Sequence, residues 1–228
     1  MEHTQTVTGR ETGKKDISDA HHTRNGIWKI IWNRRSVRSY KPDKVPRDLI
    51  EFILSAGRMA PSAMNLQPWF FSVAEGKENI RYFSEAVRRG MISGLFHTPV
   101  KQLGRTLAAA LHYPIRQTML ADKDVIFHGA PVVIFIAADA DNPWAELDTG
   151  MCAQNMLLAA ESVGLSSCPI GLARYLSYSR AIKKLALPEK HQLQLAITLG
   201  YGNEHPETPA RRDDQVHYVE WVKPTDTH

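Results

Sequence analysis

Three short clusters of polar residues have side-chain types and spacings that could bind a ligand. The first is Arg34-Arg35-Ser36-Val37-Arg38, with three guanidinium groups and one hydroxyl in five residues. A guanidinium is planar and permanently charged, and its N–H groups match the oxygens of a phosphate. This cluster predicts a clamp for one terminal phosphate, and a solvated charged loop is the alternative that composition alone favours.

The second cluster lies in residues 58–73, RMAPSAMNLQPWFFSV. Here Pro61 and Ser62 form a turn sequence, and the carboxamides of Asn65 and Gln67 follow before an apolar strand. Hydroxyl and amide groups together offer donors and acceptors that can match the edge of a planar heterocycle. The alternative is a turn whose polar side chains bond to the local backbone.

The third cluster combines Pro169-Ile170-Gly171 with Arg211 and Arg212. A glycine at a strand end lets the backbone approach a flat ring and present bare N–H groups. Arg211 and Arg212 could bind the same phosphate as the first cluster. Each of these two features is weak alone, and a plain loop explains either one.

The elements that must position these clusters follow from hydrophobic periodicity. Apolar spacing predicts helices at 26–32, 47–57 and 147–163, the last of them buried, with Gly164 as its C-cap. Short apolar runs predict strands at 69–73, 131–138 (central) and 193–199, and residues 216–222 could add an edge strand. Residues 166–172 read as extended, and Ser177 as the N-cap of a helix at 178–187. Without a repeated βαβ pattern, these elements predict an α+β layered domain.

Composition narrows the classes of function. Two cysteines, Cys152 and Cys168, are too few for a structural zinc or iron–sulfur site, so no metal is expected. The net charge of +4 is scattered along the chain, which argues against nucleic-acid binding. No signal peptide or membrane-spanning run is visible, so we expect a soluble, cytoplasmic protein without a membrane partner.

Taken together and in this order, the clusters resemble the FMN-dependent nitroreductase family. The resemblance rests on NRRSVRSY at 33–40, APSAMNLQPWFF at 60–71, DTGMCAQNMLLAAESVGLSSCPIG at 148–171 and LGYGNEHPETPARR at 199–212. It implies a layered fold with a mixed or antiparallel sheet flanked by helices, in an intertwined homodimer with two FMN molecules at the subunit interface. It also implies NADH or NADPH as a transient electron donor, and ping-pong transfer of hydride to a nitroaromatic, a quinone or a similar small acceptor.

The resemblance assigns a part to each cluster. Arg34, Arg35, Ser36 and Arg38 match the positions that hold the ribityl phosphate, and Arg211 or Arg212 would complete that site. Ser62, Asn65 and Gln67 match a loop that often comes from the partner subunit, and Pro169, Ile170 and Gly171 match the segment against the isoalloxazine. Arg38 is the candidate for the charge beside N1 and O2 of the flavin, and no residue is nominated as catalytic.

Residues 1–25 are polar, charged and aperiodic, which predicts a flexible N-terminal arm, and the resemblance implies one FMN-binding domain at residues 26–228. Residues 85–127 would form a variable lid. Its candidate pocket residues are Phe96, His97, His112 and Tyr113, and ordinary packing or exposure is the favoured alternative for each. Three alternatives stay open. One is a family member with other flavin chemistry, such as dehalogenation, dehydrogenation or flavin fragmentation. The others are a non-enzymatic flavin-binding protein and a phosphate- or nucleic-acid-binding module built on residues 34–38.

Overall fold

The apolar run predicted at 131–138 forms a central strand of a four-stranded sheet. The computed structural model describes residues 26–97, 124–212 and 214–219. The strands are β1 (Trp69–Glu75), β2 (Val132–Asp139), β3 (Ser166–Ile170) and β4 (His191–Gly200), in the spatial order β1-β2-β4-β3. Each neighbouring pair is antiparallel. The expected α+β class with an antiparallel sheet is therefore confirmed.

Helices cover both faces of this sheet. The α-helices of the described residues are α1 (Gly26–Asn33), α2 (Arg47–Arg58), α3 (Lys77–His97) and α4 (Ala145–Ser162). Short 3-10 helices occupy Ala63–Asn65, Gly171–Tyr178 and Arg180–Leu185. Among the described helices, none is both long and apolar enough to cross a membrane.

Strand β2 is buried on both faces because its alternate side chains enter two separate cores. Val133 and Phe135 belong to the core beneath α3, where the Phe135 ring lies 5.1 Å from the ring of Phe83. Ile134 and Ile136 belong to the opposite core, which α2 and α4 cover. A strand buried in this way is continuously apolar rather than alternating, which explains the sequence pattern.

Helix α4 starts two residues before the predicted start and ends one residue before the predicted end. Gly164 follows it with φ +76°, and the N–H of Leu165 bonds to the carbonyl of Ala160 at 2.9 Å. This is the left-handed C-terminal turn that glycine favours. The expectation that α4 is buried all round is wrong for the single chain, because Leu147 is 59% exposed.

Two other sequence predictions differ from the structure. Ser177 does not cap a helix; the chain forms two successive 3-10 helices, and the hydroxyl of Ser179 accepts the Ala181 N–H at 3.3 Å. The edge strand predicted at 216–222 is not formed in its described part, because residues 216–219 have no β-sheet hydrogen bonds. Residues 220–222 lie outside the described residues. The predicted arm (1–25), most of the predicted lid (98–123) and the side chains of the four candidate pocket residues also lie outside them.

Candidate functional site

Strand β3 positions the first cluster, residues 34–38, which we call the arginine segment. The segment follows directly after α1. The Arg34 N–H donates to the carbonyl of Ile30, in the last turn of that helix, at 2.9 Å. Ser36 forms a parallel bridge with Ser167, and the Val37 N–H donates to the Ser167 carbonyl at 3.1 Å. The arginine segment thus runs beside the first residues of β3.

The chain that follows β4, residues 201–211, covers the other side of the arginine segment. The Asn203 N–H donates to the Ser39 carbonyl at 2.9 Å, and the carboxylate of Glu204 accepts the Arg38 N–H. The Arg35 guanidinium donates to the Thr208 hydroxyl. These contacts fold the last motif of the sequence, GNEHPETPARR, over the first.

Gly202 permits this close approach. It forms an antiparallel bridge with Tyr40, and a Cβ at this position would lie 2.5 Å from the Ser166 hydroxyl. A side chain here would therefore push residues 201–211 away from β3 and from the arginine segment.

The arginine segment has the electrostatics of an anion site. Burial lowers the pKa of Arg34, and the positive charges of Arg35 and Arg211 lower it further, while Glu161 acts in the opposite direction. Two buried guanidinium nitrogens, Nη1 of Arg34 and Nε of Arg35, have no hydrogen-bond partner in the described structure. Buried charged donors without partners are costly, and a bound anion would satisfy them.

The two late arginines differ in their surroundings. Arg212 forms a two-pronged ion pair with Asp214, with Nε–Oδ1 and Nη2–Oδ2 distances of 3.1 Å. Arg211 is close enough to Arg34 for its charge to act on that guanidinium. The geometry therefore favours Arg211 over Arg212 as the arginine that completes the cluster.

The Pro169–Gly171 turn lies at the far end of the same strand. Strand β3 is an edge strand, so Pro169 can sit there without removing a hydrogen bond from the sheet interior. Ile170 is buried in the core, whereas Pro169 and Gly171 are exposed. A Cβ at Gly171 would meet nothing within 4 Å, so space beside this backbone is open to a flat ligand.

The loop of the second cluster is held in an unusual backbone conformation. Met64, Asn65 and Gln67 have φ values of 52°, 55° and 46°, although none of them is glycine. The Ser62 hydroxyl accepts the Gln67 N–H at 3.0 Å, and the Gln67 amide donates to Asn65 Oδ1 at 3.1 Å. Left-handed residues of this kind cluster at functional sites, where surrounding contacts enforce them.

Next to this loop, α2 and β1 form a groove of about 400 Å³. Gln67 lines it together with Arg58 and Phe71, and the Arg58 guanidinium carbon lies 5.8 Å from the centre of the Phe71 ring. The groove adjoins β1, at the sheet edge opposite β3.

The three clusters do not converge within one chain. The loop contacts α4 near its start, at Asp148, whereas the arginine segment bridges to Ser167, shortly after α4 ends at Ser162. Fourteen residues separate Asp148 from Ser162, which is about 21 Å along the helix at 1.5 Å per residue. The chain therefore joins the arginine segment, residues 166–171 and Arg211, and leaves Ser62, Asn65 and Gln67 at the opposite end of α4.

Neither cysteine has the character of a nucleophile. Burial raises the pKa of Cys152 to about 12 and also raises the pKa of Cys168. Both thiols are free and buried, so they remain protonated at neutral pH. The described residues contain no group of three or more His, Cys, Asp or Glu side chains that could hold a metal ion.

Sequence reasoning missed several residues that shape the site. Glu204 and Thr208 bond to the arginine segment, and Asp148 holds the loop through the Ala63 N–H. Glu204 lies within the quoted GNEHPETPARR motif and Asp148 at the start of the α4 motif, but nothing in their spacing indicated these contacts. The one general signal that the sequence offers is the position of Asp148 in the first turn of a helix, where acidic residues are favoured.

Comparison with known proteins gives a consistent result. A model of the nitroreductase family matches residues 31–201. The nitroreductase NfnB of Mycolicibacterium smegmatis is 29% identical over 196 residues, which are 77% of this chain and 82% of that protein. A 4-nitrobenzoate reductase of a Nocardioides species is 30% identical over 203 residues, 78% of this chain and 81% of that protein.

Solved structures agree in fold. A nitroreductase from Desulfitobacterium hafniense with bound FMN superposes with a TM-score of 0.68 at 26% identity, covering 87% of this chain and all of that one. A nitroreductase from Bacteroides fragilis with bound FMN gives a TM-score of 0.69 at 24% identity, covering 86% of this chain and 100% of that one. With the family match extending over residues 31–201, the expectation from the motifs is confirmed: this chain belongs to the nitroreductase family.

Proposed function

We propose that the protein is an oxidoreductase that binds FMN and passes hydride from NADH or NADPH to a nitroaromatic, a quinone or a similar small acceptor. Membership of the nitroreductase family supports the class of reaction. Relatives named as 4-nitrobenzoate reductases and as NAD(P)H nitroreductases support the donor and the nitroaromatic acceptor.

The observation that carries the proposal is the pair of unpartnered guanidinium nitrogens on Arg34 and Arg35. A terminal phosphate would bond to both atoms and neutralise a cluster that includes Arg211. Ser36 lies between these arginines and Arg38 and offers a hydroxyl. The residues present therefore fit the phosphate end of FMN.

The rest of the cofactor would extend along β3 towards Pro169, Ile170 and Gly171, where the exposed backbone leaves space for a flat ring. Arg38 is our candidate for the positive charge beside N1 and O2 of that ring. Its side chain is exposed, and its Nη1 donates to the Ser36 carbonyl at 3.3 Å. A fixed positive charge there would stabilise an anionic ring.

Ser62, Asn65 and Gln67 would reach the flavin from a second copy of the chain, because their own arginine segment lies at the other end of α4. Helix α1 supports such a homodimer: none of its residues is buried, and Ile27 and Ile31 are 68% and 43% exposed. An amphipathic helix with an exposed apolar side needs a partner surface. Met64, in the loop itself, is 83% exposed.

When bound, FMN supplies reversible hydride acceptance, and the chain supplies binding, orientation and charge. No acidic, thiol or hydroxyl side chain is assigned to proton transfer. Donor and acceptor would use the same face of the site in turn, which predicts ping-pong kinetics. The predicted lid would then select the acceptor through residues 98–123, because residues 85–97 belong to α3 and Ile126 and Phe127 are buried in the core beneath it.

The test is an absorption spectrum of the purified protein before and after anaerobic addition of NADH or NADPH. We expect a flavin spectrum that bleaches with the nicotinamide and returns on addition of 4-nitrobenzoate or a quinone. A flavin spectrum that neither nicotinamide bleaches would support a non-enzymatic flavin-binding protein. A colourless protein that also fails to bind added FMN would overturn the proposal.

A second candidate is reductive dehalogenation. An iodotyrosine deiodinase of Thermotoga neapolitana is 22% identical over 193 residues, and an iodotyrosine deiodinase structure superposes with a TM-score of 0.63. At these identities the likeness extends to the fold alone, and the nitroreductases, at up to 30% identity, favour the first candidate. Release of iodide from 3-iodotyrosine by the reduced protein, without turnover of nitroaromatics, would reverse this order.

A further inference from the structure

A pair of hydroxyl groups lies behind the arginine segment, on the side away from solvent. The Tyr40 hydroxyl is 2.7 Å from the Val37 carbonyl and 2.7 Å from the Thr198 hydroxyl. The Thr198 hydroxyl in turn donates to the Cys168 carbonyl at 3.2 Å. Thr198 is fully buried, and burial raises the pKa of Tyr40 well above its ordinary value, so its hydroxyl keeps its proton.

This pair joins three elements that meet at the site. Val37 belongs to the arginine segment, Cys168 to β3 and Thr198 to β4. The two hydroxyls carry two protons, so two of the three contacts are hydrogen bonds at any one time: Tyr40 donates to the Val37 carbonyl, and Thr198 donates either to the Tyr40 oxygen or to the Cys168 carbonyl. In the described structure, these two hydroxyls contact backbone carbonyls and each other.

Val37 is one of the points at which the arginine segment is held. Its side chain is buried, its N–H donates to Ser167 and its carbonyl lies against Tyr40. Ser36 and Arg38 flank it directly, so the position of this backbone unit contributes to the direction of their side chains. If the Tyr40 hydroxyl is lost, the Val37 carbonyl loses its hydrogen bond and the segment can shift away from β3.

We propose that Tyr40 and Thr198 are positioning residues for the arginine segment, holding it in the geometry that binds the phosphate of the cofactor. This inference rests on the proposed function, because it concerns the phosphate end of FMN. It assigns no contact between either hydroxyl and the cofactor. It predicts that removing either hydroxyl weakens the binding of flavins that carry the phosphate group and leaves the binding of the ring unchanged.

Riboflavin provides the discriminating probe, since it has the ring and the ribityl chain of FMN but no phosphate. Dissociation constants for both flavins are measured by fluorescence quenching on the apoprotein. Tyr40→Phe should weaken FMN binding roughly three- to tenfold, the effect of one hydrogen bond, and change riboflavin binding less than twofold. Tyr82→Phe, which removes a tyrosine hydroxyl on α3, should change neither constant.

Thr198 offers a matched pair that also covers the case in which Tyr40→Phe does not fold. Thr198→Val keeps the shape of the side chain without the hydroxyl and should reproduce the FMN-selective loss. Thr198→Ser keeps the hydroxyl and should retain most of the wild-type preference for FMN over riboflavin.

Equal weakening of both flavins in Tyr40→Phe and Thr198→Val would show general destabilisation and overturn the positioning role. Unchanged affinities in both variants would overturn it as well. A wild-type protein that binds neither flavin would instead refute the proposed function, and the inference with it.

Discussion

Asp148 and Ala63 connect the start of α4 to the loop of the second cluster. Both carboxylate oxygens of Asp148 lie 3.3 Å from the Ala63 N–H, and the Asp148 side chain is almost completely buried. The carboxylate also sits in the first turn of α4, where the helix dipole stabilises negative charge. One buried group therefore anchors a loop that contains three left-handed, non-glycine residues.

The first prediction concerns this anchor. Asp148→Ala should lower the free energy of unfolding by about 1.5–3 kcal/mol, because the Ala63 N–H loses its hydrogen bond to a buried carboxylate. Urea denaturation followed by circular dichroism measures the change.

Glu146→Ala is the matched control, because Glu146 lies in the same helical turn. Its ion pair with Arg174 is exposed, with an Oε1–Nη2 distance of 3.3 Å, so its loss should cost less than about 0.5 kcal/mol. Similar losses for the two variants would show that the Asp148 contact adds nothing beyond surface charge.

The second prediction separates the two late arginines. Arg211→Ala should weaken FMN binding about tenfold, since it removes one charge-assisted contact to the phosphate. Arg212→Ala should leave the affinity within about twofold, because that guanidinium is paired with Asp214. Fluorescence titration of the two apoproteins gives both constants. A larger loss for Arg212→Ala would reverse the assignment.

The third prediction concerns the packing of α3 against the 3-10 helix at 171–178. A Cβ at Gly90 would overlap the carbonyl oxygen of Tyr175 and lie 2.9 Å from its carbonyl carbon. Gly90→Ala should therefore destabilise the protein by about 1–3 kcal/mol, although alanine favours helix. Thermal or urea unfolding measures the loss.

Gly94 provides a graded comparison on the same helix. A Cβ there would lie 3.0 Å to 3.2 Å from ring atoms of Tyr175 and Tyr178, which can shift more easily than backbone can. Gly94→Ala should therefore cost less than Gly90→Ala. The reverse order would mean that α3 does not approach Tyr175 as described.

Most helices and strands could be predicted from the sequence, because the spacing of apolar residues reflects which side chains are buried. The run at 131–138 was predicted to be a central strand, and it is one because alternate residues of β2 enter two cores. The helix predicted at 147–163 was placed within two residues of its observed bounds at each end. Its exposed Leu147 was missed, since a helix made of small and apolar residues gives no indication of which side is covered.

The candidate site was harder to predict in its contacts than in its residues. The three clusters were found from residue types, but their arrangement at two ends of α4 depends on the chain path. The partners of the arginine segment, Glu204 and Thr208, are more than 160 positions away from it in the chain. A single sequence contains no local signal for such long-range hydrogen bonds, or for the choice between Arg211 and Arg212.

The fourth prediction concerns stability at alkaline pH. Burial raises the pKa of Cys152 from 9.0 to about 12, while the charge of Arg58 opposes the shift. Above pH 9 the unfolded chain loses this proton first, so the thiol's contribution is complete below pH 9 and is lost as the pH rises towards 12. The free energy of unfolding, measured with urea under reducing conditions at pH 8, 9 and 10, should fall more steeply in the wild type than in Cys152→Ala.

The Cys152→Ala variant should be less stable than the wild type at pH 8 because the substitution leaves a cavity. The diagnostic result is the shallower dependence of its unfolding free energy on pH. Parallel slopes would mean that Cys152 titrates normally in the folded protein and that its surroundings admit water.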